Sequence, residues 1–478
     1  MSNPSILQRK IGLWPAVSIV IGSVIGSSIF MKPALMASQL GSPGLILLVW
    51  LVAGIFSLFG AMIMAEVAAM IPATGGQFVF LQKMYGNFMG YLLGWAAFIV
   101  INTGGVAAIA FIFSTYLEYF IELPRFAPEI ERSFVLHVPF IGDIFPLQNF
   151  GVKSLTILLI IFLSFINTRN VKEGNVVQVI ITIAKVATLA FLVGALLFSG
   201  KGNFSHFTEN SSSFSLSGFP LAVAFIAATS GAFAAYDGWG NLASVAGEIK
   251  DPGRNISRSF IIGMFICMGI YLLVNIAYIY IMNMDEMSAS KLVAADALEK
   301  GMGGIAAGLI SAMIMISCLG ATNANVMAPP RITFAMANDG YFFRWAGKVK
   351  ESTNTPANAI WLHAIWASIL VISGSFDMLT EMFVFVTWIF YVVIAVGLIV
   401  LRTKMKNEER PYKVWGYPIV PILFILFGAY FLYLTVYNDV NNYLLGKSAF
   451  INSLFGLALT AAGVPLYWYF KGKRRGQA

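Results

Sequence analysis

Long apolar runs recur along the chain from Ile11 to Phe470, separated by short polar intervals. A helix needs about 20 apolar residues to cross roughly 30 Å of hydrocarbon, and the runs have that length. They predict twelve spans, near 11–33, 43–71, 88–120, 151–168, 175–199, 219–246, 258–283, 303–328, 358–374, 378–401, 417–436 and 449–470. The largest polar stretches are modest loops at 121–150, 200–218 and 284–301. No Pro/Gly/Ser linker or charge run divides the chain, which therefore reads as one all-α membrane domain. The serine-rich segment 201–218 reads as a solvated outside connection.

Composition strengthens this picture. Of 478 residues, 58% are apolar and only 11% are charged, with a mean hydropathy of +0.80, so a water-soluble core is excluded and the lipid bilayer becomes the expected solvent. Lys and Arg set the orientation, because positive loops stay in the cytoplasm. With both termini cytoplasmic, 21 of the 30 fall on that side, among them Arg169, Arg254, Arg344, Lys404 and Lys471. The net charge of +8 thus reports topology and implies no nucleic-acid partner. The first run contains Gly22, Gly26 and Lys32 without a clear cleavage site, so it reads as a span and not as a cleaved signal. Cys267 and Cys318 fall within spans, which leaves no external disulfide framework.

Two spans carry polar, glycine-rich interruptions. The first is Gly22-Ser23-Val24-Ile25-Gly26-Ser27-Ser28-Ile29-Phe30. The second is Thr229-Ser230-Gly231, followed by Tyr236-Asp237-Gly238-Trp239-Gly240-Asn241. Small residues of this kind also permit close helix packing, but here the interruptions lie five spans apart and one contains an acid. That is the arrangement of inverted-repeat transporters, where broken helices meet near the midplane. Spans one to five and six to ten would be the repeats.

Ionisable residues inside spans are functional candidates, since hydrocarbon does not solvate them. Lys185 has no charged neighbour within ten residues and lies too deep to snorkel. Its ammonium could neutralise the carbonyls of a broken helix, as a bound sodium ion would. Asp237 could accept from N–H groups of its break, the preferred reading, or contact a cationic part of a substrate. Glu66 and Glu248 stand near the cytoplasmic boundary, where they could pair with Lys250, Arg254 or Arg331 in a gate or simply end solvated helices. The histidines His137, His206 and His363 are scattered, no acid–base or metal-ligand spacing appears, and no glycine loop precedes a strand. An enzyme is not expected, nor any metal or cofactor. A channel would need a continuous polar stripe or charged ring, and none is seen.

Taken together, the motifs resemble the amino acid–polyamine–organocation superfamily, and within it the L-type amino-acid transporters and bacterial serine/threonine exchangers. The resemblance runs from about residue 11 to 470. It rests on Ile21 to Phe30, Ala65-Glu66, Ile71-Pro72-Ala73-Thr74-Gly75-Gly76, Tyr85-Gly86, Gly94-Trp95 and Lys185. It continues through Tyr236-Asp237-Gly238-Trp239, Gly247-Glu248, Pro329-Pro330-Arg331, Phe334-Ala335-Met336-Ala337 and Arg410-Pro411-Tyr412.

The resemblance implies a leucine-transporter-type fold of 5+5 inverted repeats with helices 1 and 6 broken. The segments would be a cytoplasmic 1–10, a transport core at 11–402, helices 11 and 12 at 403–470, and a basic cytoplasmic tail at 471–478. It also implies that N–H groups of Gly26, Ser27, Ser28 and Ile29 hold a substrate carboxylate, aided by the positive end of a half-helix. Carbonyls of Ala234, Ala235 and Asp237 would hold its ammonium, with Tyr236 beside them. Asn102, Cys318 and Asn325 are further pocket candidates. A lysine matching Lys185 replaces the sodium site, which implies exchange or proton-linked transport.

Three departures stand out. Serine occupies position 28 where the family commonly has glycine. Ala234 replaces a bulky aromatic that closes over substrate, so either Phe233 or Tyr236 covers the site or the pocket is wider. The loop 121–150 lacks the cysteine by which animal relatives join an accessory subunit, so no disulfide-linked partner is expected. The expected protein is a multi-pass carrier of the cell (inner or plasma) membrane, monomeric or homodimeric, moving neutral L-amino acids without sodium. A polyamine or cationic amino-acid carrier of the same fold is the alternative.

Overall fold

The computed structural model describes residues 9–71, 76–169, 174–212, 214–350 and 355–475. Both extreme termini and Pro72 to Gly75 of the quoted motif lie outside these residues. Hydrocarbon offers backbone groups no partners, so apolar runs of this length satisfy themselves as helices. Nine helical stretches among the described residues are long and apolar enough to cross a membrane, and Leu13–Val24, Ile183–Leu197 and Ala357–Ser373 are shorter apolar helices.

The first predicted span comprises α1 (Leu13–Val24), a 3-10 turn (Ser28–Phe30) and α2 (Lys32–Leu40). Then come α3 (Pro43–Met70), α4 (Gly76–Tyr85), α5 (Asn87–Ala96) and α6 (Asn102–Leu117). A π-helical segment, Ala97–Ile101, joins the last two. The loop that follows holds α7 (Pro128–Glu131) and a hairpin of β1 (Leu136–Val138) and β2 (Gly142–Ile144). Its edge is covered by the segment before the last span, with Asp143 N–H donating to Ala449 O and Ile451 N–H to Ile141 O.

Next are α8 (Phe150–Asn167), α9 (Gly174–Leu197), α10 (Gly218–Tyr236), α11 (Asn241–Ser244) and α12 (Pro252–Ile281). Two short helices, α13 (Met284–Ala289) and α14 (Val293–Met302), precede α15 (Gly304–Met327), α16 (Pro330–Asn338) and α17 (Ala357–Ser373). The chain ends with α18 (Phe376–Lys404), α19 (Ile419–Leu444), α20 (Asn452–Ala461) and α21 (Gly463–Arg475).

The helices pack in two groups. One holds α12 against both α1 and α3, with α10 on α3; the other holds α6, α8, α15 and α17 against one another. Helix α9 touches both groups, meeting α12 on one side and α15 on the other. The serine-rich loop is less solvated than its composition suggests. Asn203 N–H bonds Tyr280 O, Ser211 N–H bonds Gly41 O, and His206 is buried.

Candidate functional site

Helix α1 stops at Val24 because Ile25 turns extended (ψ 91°). A stopped helix leaves its last carbonyls without partners. Ile21 O is still closed by Ile25 N–H at 2.8 Å. The other three are met from different directions. Lys185 Nζ, from α9, lies 3.4 Å from Gly22 O. Ser23 O abuts Gly238 of the other interruption. Val24 O accepts from the Tyr271 hydroxyl at 2.8 Å.

The second interruption has the same origin. Helix α10 ends at Tyr236, Asp237 is extended (ψ 156°) and Gly238 takes φ +107°. A Cβ on Gly238 would fall 2.4 Å from Ser23 O, so only glycine allows the two interruptions to meet. The Tyr271 hydroxyl also reaches Ala235 O at 2.9 Å, sharing its hydrogen between carbonyls of α1 and α10. Asp237 Oδ1 accepts from Tyr391 at 2.7 Å, and the Tyr391 ring lies 4.5 Å from that of Trp239.

The donor side of the first interruption is open. Among the described residues, the N–H groups of Ser27, Ser28 and Ile29 meet no protein acceptor, and the buried Ser27 hydroxyl lies against the Cys318 thiol. That thiol, from α15, also lies beside Lys185. Unpaired donors grouped at a helix start favour an anion. The arrangement can therefore hold a carboxylate beside α2 while a fixed ammonium neutralises the end of α1.

The remaining candidates divide. Gly26, Ser27, Ser28, Ile29, Ala235, Asp237, Cys318 and Lys185 converge on the two interruptions. Tyr236 is buried beside them, donating to Trp50 O at 3.2 Å and packing on Trp50 and Tyr271. Ala234 is buried with them. Phe233 instead joins an aromatic cluster with Trp388, 3.9 Å away, and Phe431. Asn102 follows the π-helical segment, and Asn325 lines a small cavity with Thr103, Ser164 and His363.

Glu66 does not pair with Lys250, Arg254 or Arg331. Its carboxylate is fully buried and takes Arg402 Nε at 2.9 Å, Arg402 Nη2 at 2.7 Å and Val414 N–H at 2.6 Å, with Arg410 at 3.7 Å. The planar guanidinium suits such a two-pronged bond, and the partners were illegible because they lie 336 and more positions away. Arg331 bonds Met327 O on its own turn. Glu248 contributes its backbone, whose carbonyl accepts Ile11 N–H, while Lys250 N–H donates to Ile11 O. The start of α1 is thereby tied to the segment leaving the second interruption.

Sequence reasoning missed Tyr271 and Tyr391. A tyrosine inside an apolar run reads as core, and nothing local to either residue marks the carbonyl or carboxylate that it reaches. Among the described residues, no group of three or more His, Cys, Asp or Glu is placed to hold a metal ion.

Comparison with known proteins agrees with this geometry. The amino acid permease family model matches residues 11–457. The serine/threonine exchanger SteT of Bacillus subtilis is 30% identical over 472 residues, 98% of each chain. The human b(0,+)-type amino acid transporter 1 is 30% identical over 89% of this chain and 82% of its own. The mouse large neutral amino acids transporter small subunit 2 is 29% identical over 97% of this chain and 81% of its own. The chain belongs to the amino acid permease family, and it is a multi-pass membrane transporter of amino acids, not an enzyme.

Proposed function

We propose that this protein carries neutral L-amino acids across the cell membrane without sodium, by exchange or with a proton. The observation that carries the reading is the Lys185 ammonium at the Gly22 carbonyl, 3.4 Å away. A fixed cation there does what a bound sodium ion would do, and leaves no charge for sodium to neutralise. The relatives named as a serine/threonine exchanger and as a transporter of large neutral amino acids support both the substrate class and exchange. The Asp237 carboxylate, engaged by Tyr391, counts against a cationic side-chain pocket.

The nine long and three shorter apolar helices together make twelve crossings, arranged as 5+5 inverted repeats broken at 25–27 and 237–240, with both termini cytoplasmic. The carrier works as a monomer or homodimer without a disulfide-linked subunit. The substrate carboxylate sits on the N–H groups of Gly26, Ser27, Ser28 and Ile29, and its ammonium on the carbonyls of Ala234, Ala235 and Asp237. Filling these groups stabilises the occluded state, because a buried unpaired group costs about 1–3 kcal/mol. Spans one, two, six and seven then rock as a bundle against spans three, four, eight and nine. The grouping of α1, α3, α10 and α12 apart from α6, α8, α15 and α17 supports such a division.

The test is uptake of radiolabelled amino acids and polyamines into proteoliposomes, with and without internal amino acid, sodium and a pH gradient. Neutral amino-acid uptake, stimulated by internal amino acid or a proton gradient and indifferent to sodium, is the expected result. Sodium dependence would overturn the reading of Lys185, and polyamine, lysine or arginine uptake would replace the substrate class.

A further inference from the structure

A second group of buried charges lies away from the two interruptions. Lys32 opens α2, is 1% exposed, and pairs with Asp377 Oδ1 at 2.6 Å while lying 4.6 Å from the centre of the Phe376 ring. Glu381, one turn further along α18, accepts from Asn452 Nδ2 at 2.6 Å. Asp439 of α19 is buried and accepts Ser453 N–H at 2.9 Å. The charged groups facing Glu381 are Lys32 from α2, Asp439 from α19 and Asp377 on its own helix. From α20 it meets neutral Asn452.

One ammonium thus lies among three carboxyl groups, of which Asp439 is buried, Glu381 partly exposed and Asp377 47% exposed. Asp377 takes Lys32. Among the described residues neither Glu381 nor Asp439 has an ion-pair partner, and two carboxylates sharing a poorly solvated site resist being ionised together. Their surroundings decide which stays charged. Asp439 receives a backbone N–H in the first turn of α20, where the helix dipole favours an anion. Glu381 receives only a neutral amide on one oxygen and has the other free for a proton. The buried Ser453 hydroxyl also lies against the Asp439 carboxylate.

We propose that Lys32, Glu381 and Asp439 form a proton-binding site where Lys32 of α2 reaches α18, beside α19 and α20, with the proton on Glu381 and its uptake linked to movement of α2. The proposal rests on the transport reading, in which α2 is the outer half of a moving broken helix. When α2 swings away it carries Lys32 with it, and Glu381 loses the cation that faces it. Its affinity for a proton then rises. By reciprocity, protonation favours the outward-open arrangement and ionised Glu381 holds α2 shut.

The primary test is infrared difference spectroscopy of the purified, lipid-reconstituted protein through a pH titration, read at the C=O stretch of protonated carboxyls. A titrating band is expected in the unmodified protein and its loss in Glu381→Gln. Asp439→Asn relieves the repulsion and is expected to move the midpoint down by roughly one pH unit, while Lys32→Gln moves it up. A band unchanged in Glu381→Gln overturns the assignment. Should that variant not fold, an unmoved midpoint in both Asp439→Asn and Lys32→Gln overturns it instead. In proteoliposomes, uptake is expected to rise as external pH falls and to become flat in Glu381→Gln; an undiminished pH slope refutes the link to α2. If no amino acid is taken up at all, the transport reading fails while the infrared titration still decides whether Glu381 holds the proton.

Discussion

The two interruptions look alike in the sequence, yet the structure gives them opposite characters. At the first, the N–H groups of Ser27, Ser28 and Ile29 meet no acceptor among the described residues. At 237–240 the backbone is fixed: Gly238 presses on Ser23 O, Asp237 is bound by Tyr391, and Trp239 lies against the Tyr391 ring. A pair of equivalent flexible hinges would not show this asymmetry. One side carries donors that meet no acceptor among the described residues, and the other is bonded and packed through its side chains.

Glycine substitutions test this difference most severely. Gly238→Ala meets both a left-handed φ and a Cβ 2.4 Å from Ser23 O. It should cost about 2–4 kcal/mol, seen as a lower apparent Tm of the solubilised protein and loss of uptake. Gly26→Ala meets only Val24 O at 3.7 Å, an ordinary contact. It should leave the unfolding free energy within about 0.5 kcal/mol of the original and weaken substrate binding, since a methyl is added beside the unused donors. Equal damage from both would erase the asymmetry.

Lys185→Ala separates function from stability at the first interruption. A buried ammonium is itself expensive, so its removal should leave a folded, membrane-inserted protein. Uptake should fall about ten- to a hundredfold, the kinetic equivalent of losing one charged hydrogen bond. Unchanged uptake would remove Lys185 from the mechanism. Tyr271→Phe acts on both sides at once, leaving Val24 O and Ala235 O without their shared donor. The expected cost is about 1–2 kcal/mol in stability, read in the same thermal assay. No change would mean that the two interruptions are held together by Gly238 alone.

Hydropathy was enough to find the nine long apolar helices among the described residues, because lipid leaves helices few alternatives. The run predicted at 43–71 is α3 at Pro43–Met70, and that at 151–168 is α8 at Phe150–Asn167. It fails where helices continue through polar residues: α12 starts at Pro252, six residues before the predicted edge, because Arg254 and Arg258 carry no apolar signal. The π-helical turn at Ala97–Ile101 and the division of the last span at Ala462 also leave no trace in hydropathy. Within the site, residues marked by being polar in an apolar run were legible, namely Lys185, Asp237 and the serines of the first interruption. Lys32 was visible only as an argument against a cleaved leader, since its partner lies 345 positions away. Tyrosines were invisible as polar groups. Their rings satisfy the apolar pattern, and only three-dimensional contact reveals what the hydroxyl does.

Tyr391 gives the mildest test of the asymmetry. Tyr391→Phe keeps the ring on Trp239 and removes only the donor to Asp237. The aspartate is left buried, but it can take up a proton and so shed most of the penalty of an unpaired charge. The stability cost should therefore be small, about 1 kcal/mol, and should vanish in the double variant with Asp237→Asn, where no charge remains to satisfy. A double-variant cycle in Tm measures this coupling. Additive effects would mean that the bond does not hold the second interruption. That interruption would then owe its fixed shape to Gly238 and the packing of Trp239, and the difference between the two sides would be steric.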